Sequence, residues 1–287
     1  MSSKKFQSNL KKKLILGTAQ FGYPYGVNNI KKKRINIRNI NKVFEFYTKN
    51  NLNQIDTAES YGVNFDNLRK FNLKIDTKIV LNKKKQNENE LLDLIKKYEI
   101  KKKKSINTIY IHDPENLFLK SGRKTFNILK SLKKKNFFNK IGISIYDLYL
   151  LKKIIKNFKI DVVQVPYSIL DRRFENYFKV LKKKNILIHV RSIFLQGALI
   201  SNYKNRITRS PEVKNFKKLV NKYKINSKYA CIHFVLKNRL VNKIIIGVDN
   251  HKQLKEILGY TYNVKFNYLE DISSLNTKII DPRNWRN

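Results

Sequence analysis

The segment Leu14-Ile15-Leu16-Gly17-Thr18-Ala19-Gln20-Phe21-Gly22 decides between the two α/β architectures open to this chain. Its apolar start, Leu14–Thr18, reads as a buried strand, so the turn that follows is informative. An open doubly wound sheet that binds a dinucleotide carries GxGxxG there, because those glycines let backbone approach a pyrophosphate at a helix N-terminus. Here Gly17 and Gly22 enclose four other residues, and the fingerprint is missing. Outward from this point, seven more short β-branched runs recur: Gln54–Thr57, Ile75–Leu81, Thr108–His112, Lys140–Ile145, Asp161–Val165, Leu187–Ser192 and Lys243–Val248. Segments of helical period lie between them: Ile37–Lys49, Glu88–Tyr98, Gly122–Lys134, Asp147–Phe158 and Arg173–Lys183. The pair Glu212–Lys224 and Ser227–Lys237 precedes the last strand, and His251–Leu258 follows it. Only Asn64–Phe71 is a weak helix candidate. This alternation, without linker or repeat, predicts a single (β/α)8 TIM barrel of class α/β over residues 1–287. Residues 1–13 read as a basic N-terminal extension and 259–287 as a C-terminal tail.

Composition fits that expectation. A chain of 287 residues suits one barrel, and 41% hydrophobic content with 17 Phe and 16 Tyr excludes disorder. The single cysteine, Cys231, excludes a disulfide framework and a Cys-based zinc site. No apolar run reaches the roughly 20 residues needed to span a bilayer. Met1–Lys13 is basic with no apolar segment behind it, which points to the cytoplasm and away from a membrane.

The net charge of +41, from 62 Lys and Arg against 21 Asp and Glu, invites a nucleic-acid reading. Nearly all of it is Lys, alongside abundant Asn, Ile, Phe and Tyr and only 9 Gly, 5 Pro and 1 Trp. That is the imprint of A/T-rich codons. Base reading favours the planar fork of Arg, and no zinc-finger or RNP motif is present, so nucleic acid is not the expected partner. The barrel topology puts Lys11–Lys13, Lys101–Lys104, Lys133–Lys135 and Lys182–Lys184 just before strands, opposite the active-site face. Several end helices, where cations suit the macrodipole. Lys31–Arg34 and Lys83–Lys85 follow strands and would attract an anionic ligand.

In such a barrel, polar residues at the C-terminal strand ends point into the active site. Those ends give Asp56, Lys78 and His112, with Tyr61 just beyond Asp56. Singly each has a bland explanation, as an N-cap, a common lysine, a turn or a packing tyrosine. Together they converge on one rim. A phenol with an ordinary pKa near 10 exchanges protons poorly at neutral pH without help. An ammonium beside it lowers that pKa, and a carboxylate behind the ammonium keeps it charged. An imidazole opposite can hydrogen-bond a carbonyl and stabilise developing negative charge. None of these groups donates hydride, so redox chemistry would need a cofactor.

At these residues the chain resembles the aldo-keto reductases. Asp56-Thr57-Ala58 with Tyr61-Gly62 is similar to the family's "DTA…YG" signature, and Ile75-Asp76-Thr77-Lys78 to its "TK" strand. Ile109-Tyr110-Ile111-His112-Asp113, Lys140-Ile141-Gly142-Ile143-Ser144 and Val163-Gln164-Val165-Pro166-Tyr167 extend the likeness, which ends with Ile244–Asn250 and Gln253-Leu254. The resemblance implies reduction of an aldehyde or ketone, with a sugar derivative as a candidate substrate and NADP or NAD as cofactor. It implies Tyr61 as general acid, Lys78 lowering its pKa, Asp56 paired with Lys78, and His112 orienting the carbonyl. Ser144 and Gln164 would bind the nicotinamide carboxamide. Gly247, Asp249, Gln253 and Glu256 would lie along the adenosine end, and Gly17 and Thr18 near the cofactor ribose.

Three positions depart from the family pattern. Ile145 follows Ser144 where Asn is common, and Asp249 replaces a small hydroxyl residue. A carboxylate there repels a 2′-phosphate, which weakens the family's usual NADP preference. Arg191, in Arg191-Ser192-Ile193-Phe194-Leu195-Gln196-Gly197, stands where an aromatic ring usually stacks on nicotinamide; a guanidinium can stack too, so Arg191 and Ser192 are cofactor candidates. A similar run occurs in a bacterial branch of the family. Phe21, Tyr23 and Tyr25 would line a substrate mouth unless they pack on each other. Cys231, His233 and His189 read as packing residues, and the histidines show no metal-ligand spacing, so no metal is expected. The alternatives are a catalytically silent, nucleotide-binding regulatory barrel and a nucleic-acid-binding protein using its Lys-rich face.

Overall fold

A computed structural model of the chain describes residues 3–27, 34–63, 70–81, 87–97, 105–259 and 272–285. Lys83–Lys85, Lys101–Lys104, the lysines of Lys31–Arg34 and most of Asn64–Phe71 lie outside the described residues. The short β-branched runs form parallel strands β1 (Leu14–Gly17), β2 (Gln54–Asp56), β3 (Lys74–Ile79), β4 (Ile106–Ile111), β5 (Lys140–Ser144), β6 (Val162–Pro166), β7 (Leu187–Arg191) and β8 (Lys243–Gly247). They neighbour one another in chain order, and β8 returns to pair with β1 through Gly17 opposite Gly247, which closes the barrel. The fold is thus the (β/α)8 TIM barrel expected from the alternation.

The helices are α1 (Ser3–Lys13), α2 (Ala19–Gly22), α3 (Ile37–Lys49), α4 (Glu88–Lys97), α5 (Lys120–Lys134), α6 (Leu148–Asn157), α7 (Phe178–Lys183), α8 (Pro211–Lys222), α9 (Ser227–Lys237), α10 (His251–Gly259) and α11 (Thr277–Ile280). Local chemistry sets their starts. Asn36 and Asp147 accept from the backbone N–H three residues on, at 2.9 and 2.6 Å, and Ser210 caps α8 with Pro211 behind it. α7 begins at Phe178, later than the periodicity suggests, because Arg173 is turned back onto the Asp171 carboxylate and a 3-10 turn, Glu175–Tyr177, intervenes. None of the described helices is long and apolar enough to cross a membrane.

The first residues differ from the expected extension. Ser3–Lys13 is a helix that buries Phe6 and Leu10, one turn apart, to 1% exposure. Phe6 stacks on His233 of α9 at 6.1 Å, and Lys243 Nζ at the start of β8 donates to the Lys12 carbonyl at 3.0 Å. Dense lysine hid a two-residue apolar stripe. Lys11–Lys13, Lys133–Lys135 and Lys182–Lys184 close α1, α5 and α7 just ahead of β1, β5 and β7, at the end remote from the strand C-termini. Lys133 there grips Asp161 with both oxygens at 2.6 Å.

Candidate active site

The strand C-termini carry one continuous polar chain. Lys78, at the end of β3, donates from Nζ to Asp56 Oδ2 at 2.6 Å and to the Thr57 carbonyl at 3.2 Å. Asp56 ends β2, and its other oxygen accepts from Gln164 Nε2 of β6 at 2.7 Å. The Lys78 and Asp56 side chains keep only 2% and 7% of their exposure, so both charges depend on this pairing. Thr18, one residue past β1, donates its hydroxyl to the Asp56 carbonyl at 3.0 Å, which makes it a brace for β2.

Tyr61 reaches this chain from a 3-10 turn, Glu59–Tyr61. The turn ends on Gly62 at φ 65°, a left-handed conformation that favours glycine. Lys78 Nζ lies 5.1 Å from the Tyr61 ring centre. Gly22 presses its backbone on this turn so closely that a Cβ there would fall 1.4 Å from the Tyr61 carbonyl oxygen. His112 follows β4 at the same rim and is exposed; its backbone N–H donates to the Ile79 carbonyl at 2.8 Å.

Burial first, then the Asp56 carboxylate, pushes the Tyr61 phenol well above its ordinary value. Arg191 pulls it the other way, and Lys78 is bonded to Asp56 at 2.6 Å. Although His112 reaches solvent, the protein around it removes enough water to lower its pKa, and Lys78 and Arg191 lower it further. Its imidazole is therefore uncharged at neutral pH.

A cleft of about 310 Å3 runs from Asp56 and Tyr61 across β1 and β8. Gly17, Arg191, Ser192, Gly247, Asp249 and Gln253 line it, as the sequence suggested. Lys78, His112, Thr18, Ser144, Gln164 and Glu256 do not, although Ser144 and Gln164 are buried ladder partners on β5 and β6 behind it. Glu256 instead pairs with Lys228, which does line the cleft. Asp249 is held by Gln253, whose Oε1 accepts from the Asp249 backbone N–H at 2.8 Å and whose Nε2 donates to Asp249 Oδ2 at 3.2 Å. Phe21 packs edge-on against Phe44 at 5.5 Å, whereas Tyr25 reaches the cleft and Tyr23 lies 5.9 Å from Tyr61.

Several lining residues carried no signal in the strand-end reading. Gln20 and Lys228 come from helices α2 and α9, and Gly26 and Gln196 from loops, rather than from strand ends. The wall after β7 places Ser192, Leu195 and Gln196 at φ 59°, 50° and 49°, a cluster of left-handed non-glycine residues of the kind found at functional loops. The Val27 backbone N–H donates to the Gln196 carbonyl at 3.0 Å, so the loops after β1 and β7 touch. Among the described residues no cluster of three or more His, Cys, Asp or Glu could hold a metal ion.

A family description based on aldo/keto reductases matches residues 13–276. This chain belongs to the aldo/keto reductase family. Solved structures with the same fold include the holo form of aldo-keto reductase AKR11C1 from Bacillus halodurans, with TM-score 0.70, 16% identity and 95% coverage of each chain. The glycerol dehydrogenase AKR11B4 from Gluconobacter oxydans follows, with TM-score 0.64, 15% identity and 90% coverage of each chain. No curated protein sequence matches. Membership of the aldo/keto reductases supports an oxidoreductase, and a nicotinamide cofactor is the family norm. The residues present suit such a group: Gln164 Oε1 is buried with no hydrogen-bond partner among the described residues, an acceptor available to an amide N–H.

Proposed function

We propose that this aldo-keto reductase reduces an aldehyde or ketone to an alcohol with NAD(P)H, and that Tyr61 is the proton donor. The observation that supports this most is the buried chain Gln164–Asp56–Lys78 beneath the Tyr61 ring at one end of the cleft. When bound, the nicotinamide supplies the hydride, with Ser144, Gln164 and Arg191 around the nicotinamide end. Gly17, Thr18 and Ser192 would lie nearer the middle, and Gly247, Asp249, Gln253 and Glu256 along the adenosine end.

The chain's own residues handle the proton. A phenol whose pKa is raised stays protonated through neutral pH, which is the state a donor needs. As negative charge builds on the substrate oxygen, that oxygen becomes a far stronger base than phenolate, so the proton transfers to it. Lys78 and Arg191 stabilise the phenolate left behind, and Asp56 holds Lys78 in position. Neutral His112 donates a hydrogen bond to the same oxygen and so orients the carbonyl.

We further propose a preference for NADH. The Asp249 carboxylate faces the far end of the cleft, and Lys228, the cation nearby, is engaged by Glu256. A 2′-phosphate would meet the Asp249 carboxylate there, an effect that His251 and Lys252, two and three residues on, would oppose. We place the enzyme in the cytoplasm.

The test follows nicotinamide absorbance with NADH and NADPH across a panel of carbonyl compounds. Tyr61→Phe should lower kcat by about 100- to 10,000-fold while leaving dinucleotide binding measurable. Undiminished turnover in that variant would remove Tyr61 from the proton-donor role. Dinucleotide binding without turnover of any carbonyl would favour a regulatory barrel.

A further inference from the structure

Resting on the reductase reading, we infer that the substrate carries an anionic group, a carboxylate or a phosphate, and that Arg191 binds it beside the reacting carbonyl.

Among the described residues, Arg191 shares Tyr146 with Arg283, and Arg283 shares Asp281 with Arg173. Arg173 pairs with Asp171 and reaches Asp281, and Arg283 grips Asp281 through Nε and Nη2 at 2.9 and 2.7 Å. Arg191 makes no ion pair among the described residues, yet its side chain lines the cleft with Tyr61 and Tyr25. An uncompensated guanidinium taken partly out of water is costly unless an anion completes it.

Its orientation is built in. The Arg191 guanidinium lies 4.0 Å from the centre of the Tyr146 ring, and Arg283 lies 3.9 Å from the same ring. Arg283 is fixed by Asp281, so Tyr146 has a rigid support. The guanidinium carbon sits over the ring, and the Arg191 N–H donors make no hydrogen bond to another described residue. Those donors match two oxygens of a carboxylate or phosphate. Arg191 lines the cleft with Tyr61, and its charge is felt at both Tyr61 and His112, so an anion held by it would lie on the side where the carbonyl is handled. The net charge of +41 would draw such substrates toward the protein.

Two matched pairs of carbonyl compounds test this: succinate semialdehyde against butanal, and glyceraldehyde 3-phosphate against glyceraldehyde. The first pair reads carboxylate, the second phosphate. The wild type should favour the charged member of at least one pair by about tenfold or more in kcat/KM, and added salt should shrink that ratio. Arg191→Gln should cut the ratio by about 10- to 100-fold, mainly through KM, and Arg191→Lys should restore part of it. Dinucleotide affinity, read from nicotinamide fluorescence, should fall by less than the charged-substrate kcat/KM. Equal use of charged and neutral compounds by the wild type overturns the inference and leaves the reductase reading standing, a result that does not depend on any variant folding. A drop in dinucleotide affinity as large as the loss in kcat/KM overturns it too, because Arg191 would then act through the cofactor and not on the substrate anion. Failure of the wild type to bind either dinucleotide overturns the reductase reading itself.

Discussion

Asp76 and His189 sit one layer below the catalytic chain, inside the barrel. Asp76 accepts from Gln54 Nε2 and Asn107 Nδ2 at 2.8 Å each, and His189 Nδ1 lies 2.7 Å from the Tyr110 hydroxyl and 3.9 Å from Asp76. Burial pushes Asp76 up to about 6 and His189 down to about 3. These shifts act oppositely on stability. Below about pH 6.5 the unfolded chain protonates His189 while the folded chain does not, so stability falls with pH. Between about pH 6 and 4 the folded chain keeps a proton on Asp76 that the unfolded chain has released, so stability rises as pH falls. His189→Gln removes the first arm only. Between pH 7 and 5 that variant should lose about 2 kcal/mol less stability than the wild type, read from urea midpoints at both pH values. At the cleft's far end, Asp249→Ser should shift the kcat/KM ratio toward NADPH by about tenfold, the worth of one charge contact; an unchanged ratio would show that Asp249 does not face the 2′ position. Residue positions of this kind were legible where strand ends fixed them, as for Asp56 and Lys78, and one turn beyond, as for Tyr61. The Lys78–Asp56 bond and the lack of an ion pair at Arg191 among the described residues were not, because they depend on which carboxylates lie within reach in space.

At the scale of elements, strand order and helix placement followed from periodicity and from the lack of a glycine fingerprint after β1. The exceptions have local causes. Helix α1 was masked by its lysines, since two apolar residues one turn apart are a weak signal until the barrel supplies a surface for them. That surface now makes a prediction. Phe6→Ala should destabilise the protein by about 3 kcal/mol, because the ring is fully buried against α9 and leaves a cavity. A lowered thermal midpoint would show it, and no change would mean that α1 is not docked in solution. The wall after β7 was equally hidden from pattern reading: its left-handed residues are not glycines, so no turn signature announces them.

The whole molecule carries far more positive charge than its fold requires. The described lysine runs lie ahead of the strands, away from the cleft, where only partial pairing such as Lys133 with Asp161 offsets them. Self-repulsion should therefore destabilise the native state, and raising sodium chloride from low concentration to about 0.5 M should increase the thermal midpoint by screening it. A midpoint that falls with salt would mean that attractive pairs outweigh the repulsion. The barrel itself was readable at this scale because charge on helix ends does not disturb the apolar period of the strands. One contact then sets how this scaffold can change. With no room for even a methyl group between Gly22 and the Tyr61 turn, the loop that borders the entrance and the group that delivers the proton are mechanically one part. Lineages or engineers that lengthen that loop to admit a different compound will shift the acid with it, so new substrate range and retained turnover must be won together, through compensating changes on both sides of the seam.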